Sequence, residues 1–515
     1  MAATTASALL PVFIALPLIV SAITALSPVK KVNDALSILI PLINLAGGVW
    51  LYACTAEHGP ISHVLGRYQA GVGISLAADQ FSAIMLVTTM IVAVTANWFA
   101  ISTGETQARY YTPLTLVLIT GVSGALLAAD LFNFFVMIEV MLMPSYGLIA
   151  MTGTRHRLLS ARTFVLVNLA ASTLLVVGVG YLYGVCGAVN IAALRGAAAG
   201  NGPVTVAAGL VVIAIATKAG VFPVHTWLPR TYPSTSAAVM GLFSGLHTKV
   251  AVYMLYRIWV VIFDMDARWN TLIIVFMVIS MLIGGFAGLT ESTMRRVLAY
   301  QMVNGMPFIL IMLAFTQGGE NARYALAAGL LYTLHHMITV GALVLNVGAI
   351  EETYGTGTLS KLSGIARRDP FTSAVFVAGA FSIVGFPPFS GIFGKVTIVL
   401  AAAKPGDWRS WVVITAIIVA SFGALLSMMR MWKVVFWGRP MQHYPHALNV
   451  QWKFLLPSFS LMLISLGMFV FAGQLWGATT GAADALLDVD AYSAAVLGHD
   501  PVGVPDIASI QGGQR

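Results

Sequence analysis

Fourteen apolar runs, each about as long as a bilayer is thick, leave this chain few folds to choose from. They lie near residues 7–26, 34–54, 80–101, 112–129, 131–151, 162–186, 204–228, 237–262, 270–289, 297–316, 323–348, 372–400, 410–436 and 453–475. A helix needs about 20 predominantly apolar residues to cross the hydrocarbon core. The runs show no strand-like alternation, and an open sheet cannot satisfy its backbone in lipid. The expectation is an all-α integral membrane protein with 14 transmembrane helices. Composition agrees: 58% of residues are hydrophobic and only 9% charged, against about 25% charged in a soluble domain. Asp130 leaves almost no loop between the fourth and fifth runs, which predicts a tight hairpin.

A net charge of +8 and a pI near 9.4 would suit a nucleic-acid partner, but the basic residues are scattered through short loops, which fits membrane orientation better. Loops assigned alternately to two sides put 16 Lys/Arg on one: Lys30, Lys31, Arg109, Arg155, Arg157, Arg162, Arg230, Arg295, Arg296, Lys361, Arg367, Arg368, Arg430, Lys433, Arg439 and Lys453. The N-terminal side collects 8: Arg67, Arg195, Arg257, Arg268, Arg323, Lys404, Arg409 and Arg515. The bias places the first set in the cytoplasm and both termini outside. The first run begins near Ser7 with no basic residue before it, so it reads as a retained span. The tail beyond Trp476, Gly/Ala-rich and mildly acidic (Asp484, Asp488, Asp490, Asp500, Asp506), is expected to be flexible. Cys54 and Cys186 form no metal or redox pattern, and no P-loop, CxxC or HExxH occurs, so no cofactor or metal site is expected.

Few charges fall deep inside the spans: Lys218, Lys249, Lys395 and Glu139. A charge at mid-membrane costs about 2.5–3.5 kcal/mol on insertion scales, so such residues mark function by default. Lys218 sits in a run interrupted by Gly220 and Pro223 and followed by His225, and a discontinuous helix with a buried charge is an ion-path signature. Glu139, mid-span before Pro144, is the natural counter-charge for Lys218, since opposite charges keep each other ionised. The alternative is a static ion pair joining two helices, but buried pairs are a poor source of stability. Lys249 follows on the next span, with Tyr253 and Tyr256 on its face and His247 nearly opposite. His225 is a candidate for lining the cytoplasmic mouth.

The eleventh span carries His335 and His336 between Tyr332 and Thr339, a spacing that does not choose between them. Imidazole passes protons readily near neutral pH. The twelfth span is broken again, by Gly385, Pro387, Pro388, Gly391 and Gly394, just before Lys395. Breaks in the seventh and twelfth spans suggest two five-helix repeats, spans 4–8 and 9–13, which an odd helix number makes inverted.

These motifs resemble the proton-pumping antiporter-like subunits shared by respiratory complex I and the multisubunit Mrp cation/proton antiporters. The likeness rests on E-V-M-L at Glu139, K-A-x-x-x-P-x-H-x-W-L-P from Lys218 to Pro229, and T-K-V-x-x-Y-x-x-x-R from Thr248 to Arg257. R-R-V-L-A-Y from Arg295 to Tyr300 and G-F-P-P-x-S-G-x-x-G-K from Gly385 to Lys395 extend it, so that it runs to Pro440. Lys395, the DLFNFFVMIEV wording and the M-x-R-M-W-x-x-x-F-W-G ending at Gly438 are most similar to the D subunit of Mrp antiporters. The resemblance implies N-terminal helices over 1–110, repeats over 111–262 and 263–436, helix 14 over 437–476 and an extracytoplasmic tail over 477–515. It implies a bacterial plasma-membrane protein that works with other Mrp subunits, carrying H⁺ against Na⁺. Its path would run through Glu139, Lys218, Lys249, His336 and Lys395, with His225, His247, His335 and Tyr256 as secondary members. The alternative is a proton pump of complex I or of a membrane-bound hydrogenase, powered by a redox partner. The segment Gln301–Pro307, QMVNGMP, departs from the family's Ser-rich run; Gln301 and Asn304 are candidates to replace it.

Overall fold

The computed structural model describes residues 2–66, 68, 70–439, 441, 444–445 and 447–498. Arg67, Pro440, Asp500, Asp506 and Arg515 lie outside them. Among the described residues, 12 helices are long and apolar enough to cross a membrane, with shorter apolar helices at Tyr111–Leu127, Pro370–Val384 and Gly391–Ala403.

We label the principal helices in order: α1 (Val12–Leu26), α2 (Lys30–His58), α3 (Gln80–Thr103), α4 (Tyr111–Leu127), α5 (Leu131–Ala150), α6 (Arg155–Cys186), α7 (Gly202–Ala219), α8 (Ala237–Val261) and α9 (Asn270–Ala287). Then come α10 (Met294–Leu310), α11 (Gly319–Tyr354), α12 (Pro370–Val384), α13 (Gly391–Ala403), α14 (Trp408–Met431), α15 (Trp452–Val470), α16 (Ala472–Leu487) and α17 (Val489–Leu497). Three residues turn α4 into α5, and the Asp130 carboxylate caps the new helix by accepting from the Asn133 N–H at 2.8 Å.

Every residue of α8 is buried, as is α11 from Ala325 to Ile350. A helix enclosed on all sides belongs at the centre of a bundle. The two pack closely because small residues face each other: a Cβ added at Gly348 would overlap Ala237. The outer helices present Leu18, Ile19, Leu166, Val177, Ile418 and Phe422 outward, an apolar belt suited to acyl chains.

Two features depart from the expectation. A two-stranded antiparallel hairpin, β1 (Ile61–Val64) with β2 (Ser75–Ala78), pairs Ile61 with Ala78 ahead of α3. The expected flexible tail is instead helical and docked as far as Leu497. Its acidic residues are anchors: Asp490 pairs with Arg195, and Asp484 takes two bonds from Arg323, at 2.6 and 2.9 Å. Leu486, Tyr492 and Val496 are buried. Composition reads as solvated, but these carboxylates match arginines at the same end of the bundle.

The docked tail also covers a charge that the loop count placed outside. Arg257 is 1% exposed, as is its partner Asp79, with Nη2 to Oδ2 at 2.6 Å. Asp79 caps α3 through a capping box with Ser82, and the Tyr492 ring lies 4.6 Å from the Arg257 guanidinium. Removing one partner of a buried pair leaves an uncompensated charge, at a cost of about 3–5 kcal/mol. Asp79→Leu should therefore lower the thermal stability of the detergent-solubilised complex sharply, and Asp79→Leu with Arg257→Met should regain most of it. A double variant as unstable as the single one would refute the pairing.

Candidate functional site

The two helix breaks are built alike. α7 ends at Gly220 with φ +73°, and α12 ends at Gly385 with φ +97°, a left-handed conformation that glycine adopts without a Cβ penalty. Lys218 lies in the last turn of α7. Lys395 lies beyond its break, yet its Nζ donates back to the carbonyl of Val384, the last residue of α12, at 2.9 Å. The Lys395 ammonium thus sits at the C-terminal end of a half-helix, where the unpaired carbonyls carry partial negative charge, whereas the Lys218 ammonium crosses to α6. Gly385 serves a second purpose: a Cβ there would stand 2.9 Å from Lys395 Cδ.

Glu139 and Lys218 meet through a third residue. The Lys218 Nζ donates to Ser172 Oγ at 2.8 Å and to the Asn168 carbonyl at 3.4 Å, and the Ser172 hydroxyl donates to Glu139 Oε1. The expected pair is therefore linked by one hydroxyl rather than in direct contact. Asn168 and Ser172 are one helical turn apart on α6, a polar pair absent from the candidates that charge alone picks out.

His247 belongs to this half. Its Nε2 bonds Ser145 Oγ at 2.9 Å and its Nδ1 bonds the Tyr232 hydroxyl at 3.2 Å, and it lies within electrostatic range of Lys218. Lys249, two residues on, points the other way, as helical geometry requires. It is 1% exposed, its hydrogen-bond partner is the Thr248 hydroxyl at 3.2 Å, and it lies within range of His336. α8 thus faces one half with His247 and the other with Lys249.

α11 repeats the device with adjacent histidines. The His336 Nε2 lies 3.4 Å from the Gln301 carbonyl, while Nδ1 and the Gln301 side-chain amide are buried without partners. His336 feels Lys249 on one side and His335 and Lys395 on the other. The QMVNGMP segment packs directly on this ring: a Cβ at Gly305 would overlap the imidazole. His335 turns instead to the second break, with Nδ1 2.8 Å from Ser390 Oγ and 3.2 Å from Thr339 Oγ1. Lys395 completes the row, donating to Ser421 Oγ at 2.8 Å, with its Nζ 4.9 Å from the Phe308 ring centre.

Two candidates stand apart. The Tyr256 hydroxyl donates to the Ile309 carbonyl at 2.8 Å, which ties it to the backbone. His225 is buried in the first break against Phe222, its Nδ1 without a partner. At the arginine-rich end a cavity of about 360 Å³ is lined by His156, Ser234, Arg295, Arg296, Glu351 and Glu352. Glu105, on the loop before α4, lies within range of Arg295 and Glu352, and burial raises its carboxyl above the usual range against the pull of a Ser236 hydrogen bond and Arg157. Among the described residues no group of His, Cys, Asp and Glu is arranged to hold a metal.

Residues 128–427 match the family model described as NADH:quinone oxidoreductase/Mrp antiporter, transmembrane. The D subunit of the Na⁺/H⁺ antiporter of Alkalihalophilus pseudofirmus is 32% identical over 455 residues, which span 87% of this chain and 91% of that protein. A chain in the structure of the Mrp complex from Dietzia sp. DQ12-45-1b superposes with a TM-score of 0.90 at 35% identity, over 96% of this chain and 99% of that one. A chain of respiratory complex I from Thermus thermophilus shares the fold, with a TM-score of 0.74 at 21% identity over 95% of this chain and 99% of that one. This chain belongs to the NADH:quinone oxidoreductase/Mrp antiporter transmembrane family, together with the D subunits of Na⁺/H⁺ antiporters.

Proposed function

We propose that this chain is the proton-translocating subunit of a multisubunit Na⁺/H⁺ antiporter in a bacterial plasma membrane, working with the other Mrp subunits. The observation that carries the reading is the set of ionisable groups enclosed in the bundle, from the half-buried Glu139 through the buried Lys218, Lys249 and His336 to Lys395. Three buried lysines cost too much to be kept for packing alone.

Lys218 exchanges protons with the arginine-rich end. There the 360 Å³ cavity touches Ser234, two residues from the Tyr232 that bonds His247. Within the bundle, protons pass between Lys249 and Lys395 through His336 and His335. Ser172 sets the coupling: moving it out of line separates the Glu139 carboxylate from the Lys218 ammonium and favours release of the lysine's proton. Export of Na⁺ by the assembled complex is driven by this inward proton flow.

The same reading takes the chain as 14 crossings, with α12 and α13 as one broken span. It pairs α4–α8 with α9–α14 as inverted five-helix repeats, each holding one break, after N-terminal helices over 1–110. It places the arginine-rich end in the cytoplasm and both termini outside, by the excess of Lys and Arg in those loops.

In everted vesicles carrying the whole complex, Glu139→Ala and Lys218→Ala should each abolish Na⁺/H⁺ exchange. Normal exchange with normal assembly would overturn the row's role. Gly305→Ala should force a methyl into the His336 ring, an overpacking worth about 1–3 kcal/mol, and slow exchange about tenfold or more while the complex still assembles. Unchanged rates in that variant would remove His336 from the path.

A further inference from the structure

The second break holds a closed ring of hydroxyls. Ser390 Oγ lies 2.8 Å from His335 Nδ1 and 2.9 Å from Ser465 Oγ. Ser465 lies 2.9 Å from Thr339 Oγ1, and Thr339 returns to His335 Nδ1 at 3.2 Å. Ser382 attaches as a branch, 3.3 Å from Ser390 and 3.5 Å from Ser465. All five side chains are at most 5% exposed. Ser465 comes from α15, outside both proposed repeats, and without it the ring is open. These hydroxyls bond one another, whereas Thr333 one turn away donates to the Gly329 carbonyl at 2.8 Å in the usual helical manner.

Counting protons decides the state of the imidazole. The cluster has six contacts, and its four hydroxyls bring four protons. If Nδ1 were bare, its single in-plane lone pair would face two hydroxyls, and two of the six contacts would lack a hydrogen. A proton on Nδ1 removes the conflict. The N–H is shared between Ser390 and Thr339 as a three-centre donor. Ser390 and Thr339 both donate to Ser465, Ser465 donates to Ser382, and Ser382 donates back to Ser390. Each contact then has a hydrogen directed along it, the two to Ser382 being long and weak, and no oxygen accepts more than two. His335 Nε2 has no partner in the protein and is buried. A charged imidazolium would leave a buried N–H donor there unpaired, which is unfavourable. In this arrangement His335 is therefore neutral, with its proton on Nδ1 and a free lone pair on Nε2.

We propose that the Thr339–Ser390–Ser465 ring is a tautomer clamp, and that Ser465 is a positioning residue for proton transfer through His335. An arriving proton binds Nε2 and forms imidazolium, and the same nitrogen releases it. The cluster keeps its own five protons throughout, so it orients the relay and does not conduct. The charged groups in range of His335 are Lys395 from α13 and its neighbour His336 on α11; at this site α12 and α15 contribute hydroxyls. The transfer step rests on the proposed proton path; the tautomer does not.

The test uses the whole complex with ¹⁵N-labelled histidine, in lipid bilayers, by solid-state NMR. Signals of His335 are identified by their loss in His335→Gln. The expected result is a neutral ring protonated at Nδ1 in the unaltered protein, and loss of that preference in Ser465→Ala. Exchange in everted vesicles should fall at least about threefold to tenfold in Ser465→Ala, which removes three of the cluster's neutral hydrogen bonds, with the pH profile displaced. Ser465→Thr, which keeps the hydroxyl, should restore both. A wild-type His335 protonated at Nε2, or a Ser465→Ala complex with unchanged tautomer and an unmoved pH profile, would overturn the clamp. If Glu139→Ala and Lys218→Ala exchange normally while His335 shows the expected tautomer, the proton path fails and the clamp stands as a static feature.

Discussion

An ammonium away from water must find its acceptors in the protein, and the fold is arranged around that need. A continuous transmembrane helix offers little, because its carbonyls are already bonded within the helix, and Lys218 takes only a long 3.4 Å bond to the Asn168 carbonyl of α6. Ending a helix in mid-bundle frees several at once. Lys218 occupies the last turn before one such end, and Lys395 reaches back across the other to the Val384 carbonyl. The lysines fall on opposite sides of their breaks in sequence, and Lys218 finds its acceptors on α6 instead. Glycines in the left-handed conformation then follow from the lysines, since each half-helix must stop close to its charge.

Lys249 is handled differently. It lies inside an unbroken helix, where no carbonyls are free, and its bond is to a neighbouring hydroxyl. Arg257, two turns further along the same helix, shows what permanent charge requires there: a carboxylate at 2.6 Å, the Tyr253 hydroxyl at 3.4 Å, and the flanking rings of Phe81, Tyr253 and Tyr492. The docked tail supplies the outermost of those rings, so it seals the end of the central helix that carries the relay.

Much of this is legible in the sequence because lipid enforces it. Apolar runs of fixed length, prolines and glycines beside lysines, and a lone mid-span glutamate stand out against a background with almost no charge. What escapes is carried by residues that lipid tolerates anywhere. Ser172, Ser390 and Ser465 look like ordinary helix hydroxyls, and their importance comes from which helices pack together. Only the turn spacing of Asn168 and Ser172 could have signalled the link to Glu139. Arg257 reads as a loop residue because it falls near the end of its span. Its burial depends on Tyr492, more than 200 residues later in the chain, and no local pattern announces that contact. The tail misleads for the same reason: its acidic residues meet Arg195 and Arg323, two partners that only the tertiary fold brings near.

The hydroxyl between Glu139 and Lys218 also bears on how little movement the machine needs. A membrane potential of 100 mV is worth about 2.3 kcal/mol per elementary charge. That equals a change of about 1.7 units in the pKa of a relay group at 1.36 kcal/mol per unit. Two charges in direct contact would interact far more strongly and hold the lysine in one state. Two charges with no link would not sense each other enough. One serine between them puts the coupling in the middle, where a rotamer change of a single side chain alters both ends together. Rotation about χ1 moves Ser172 between staggered wells without disturbing the helix that carries it.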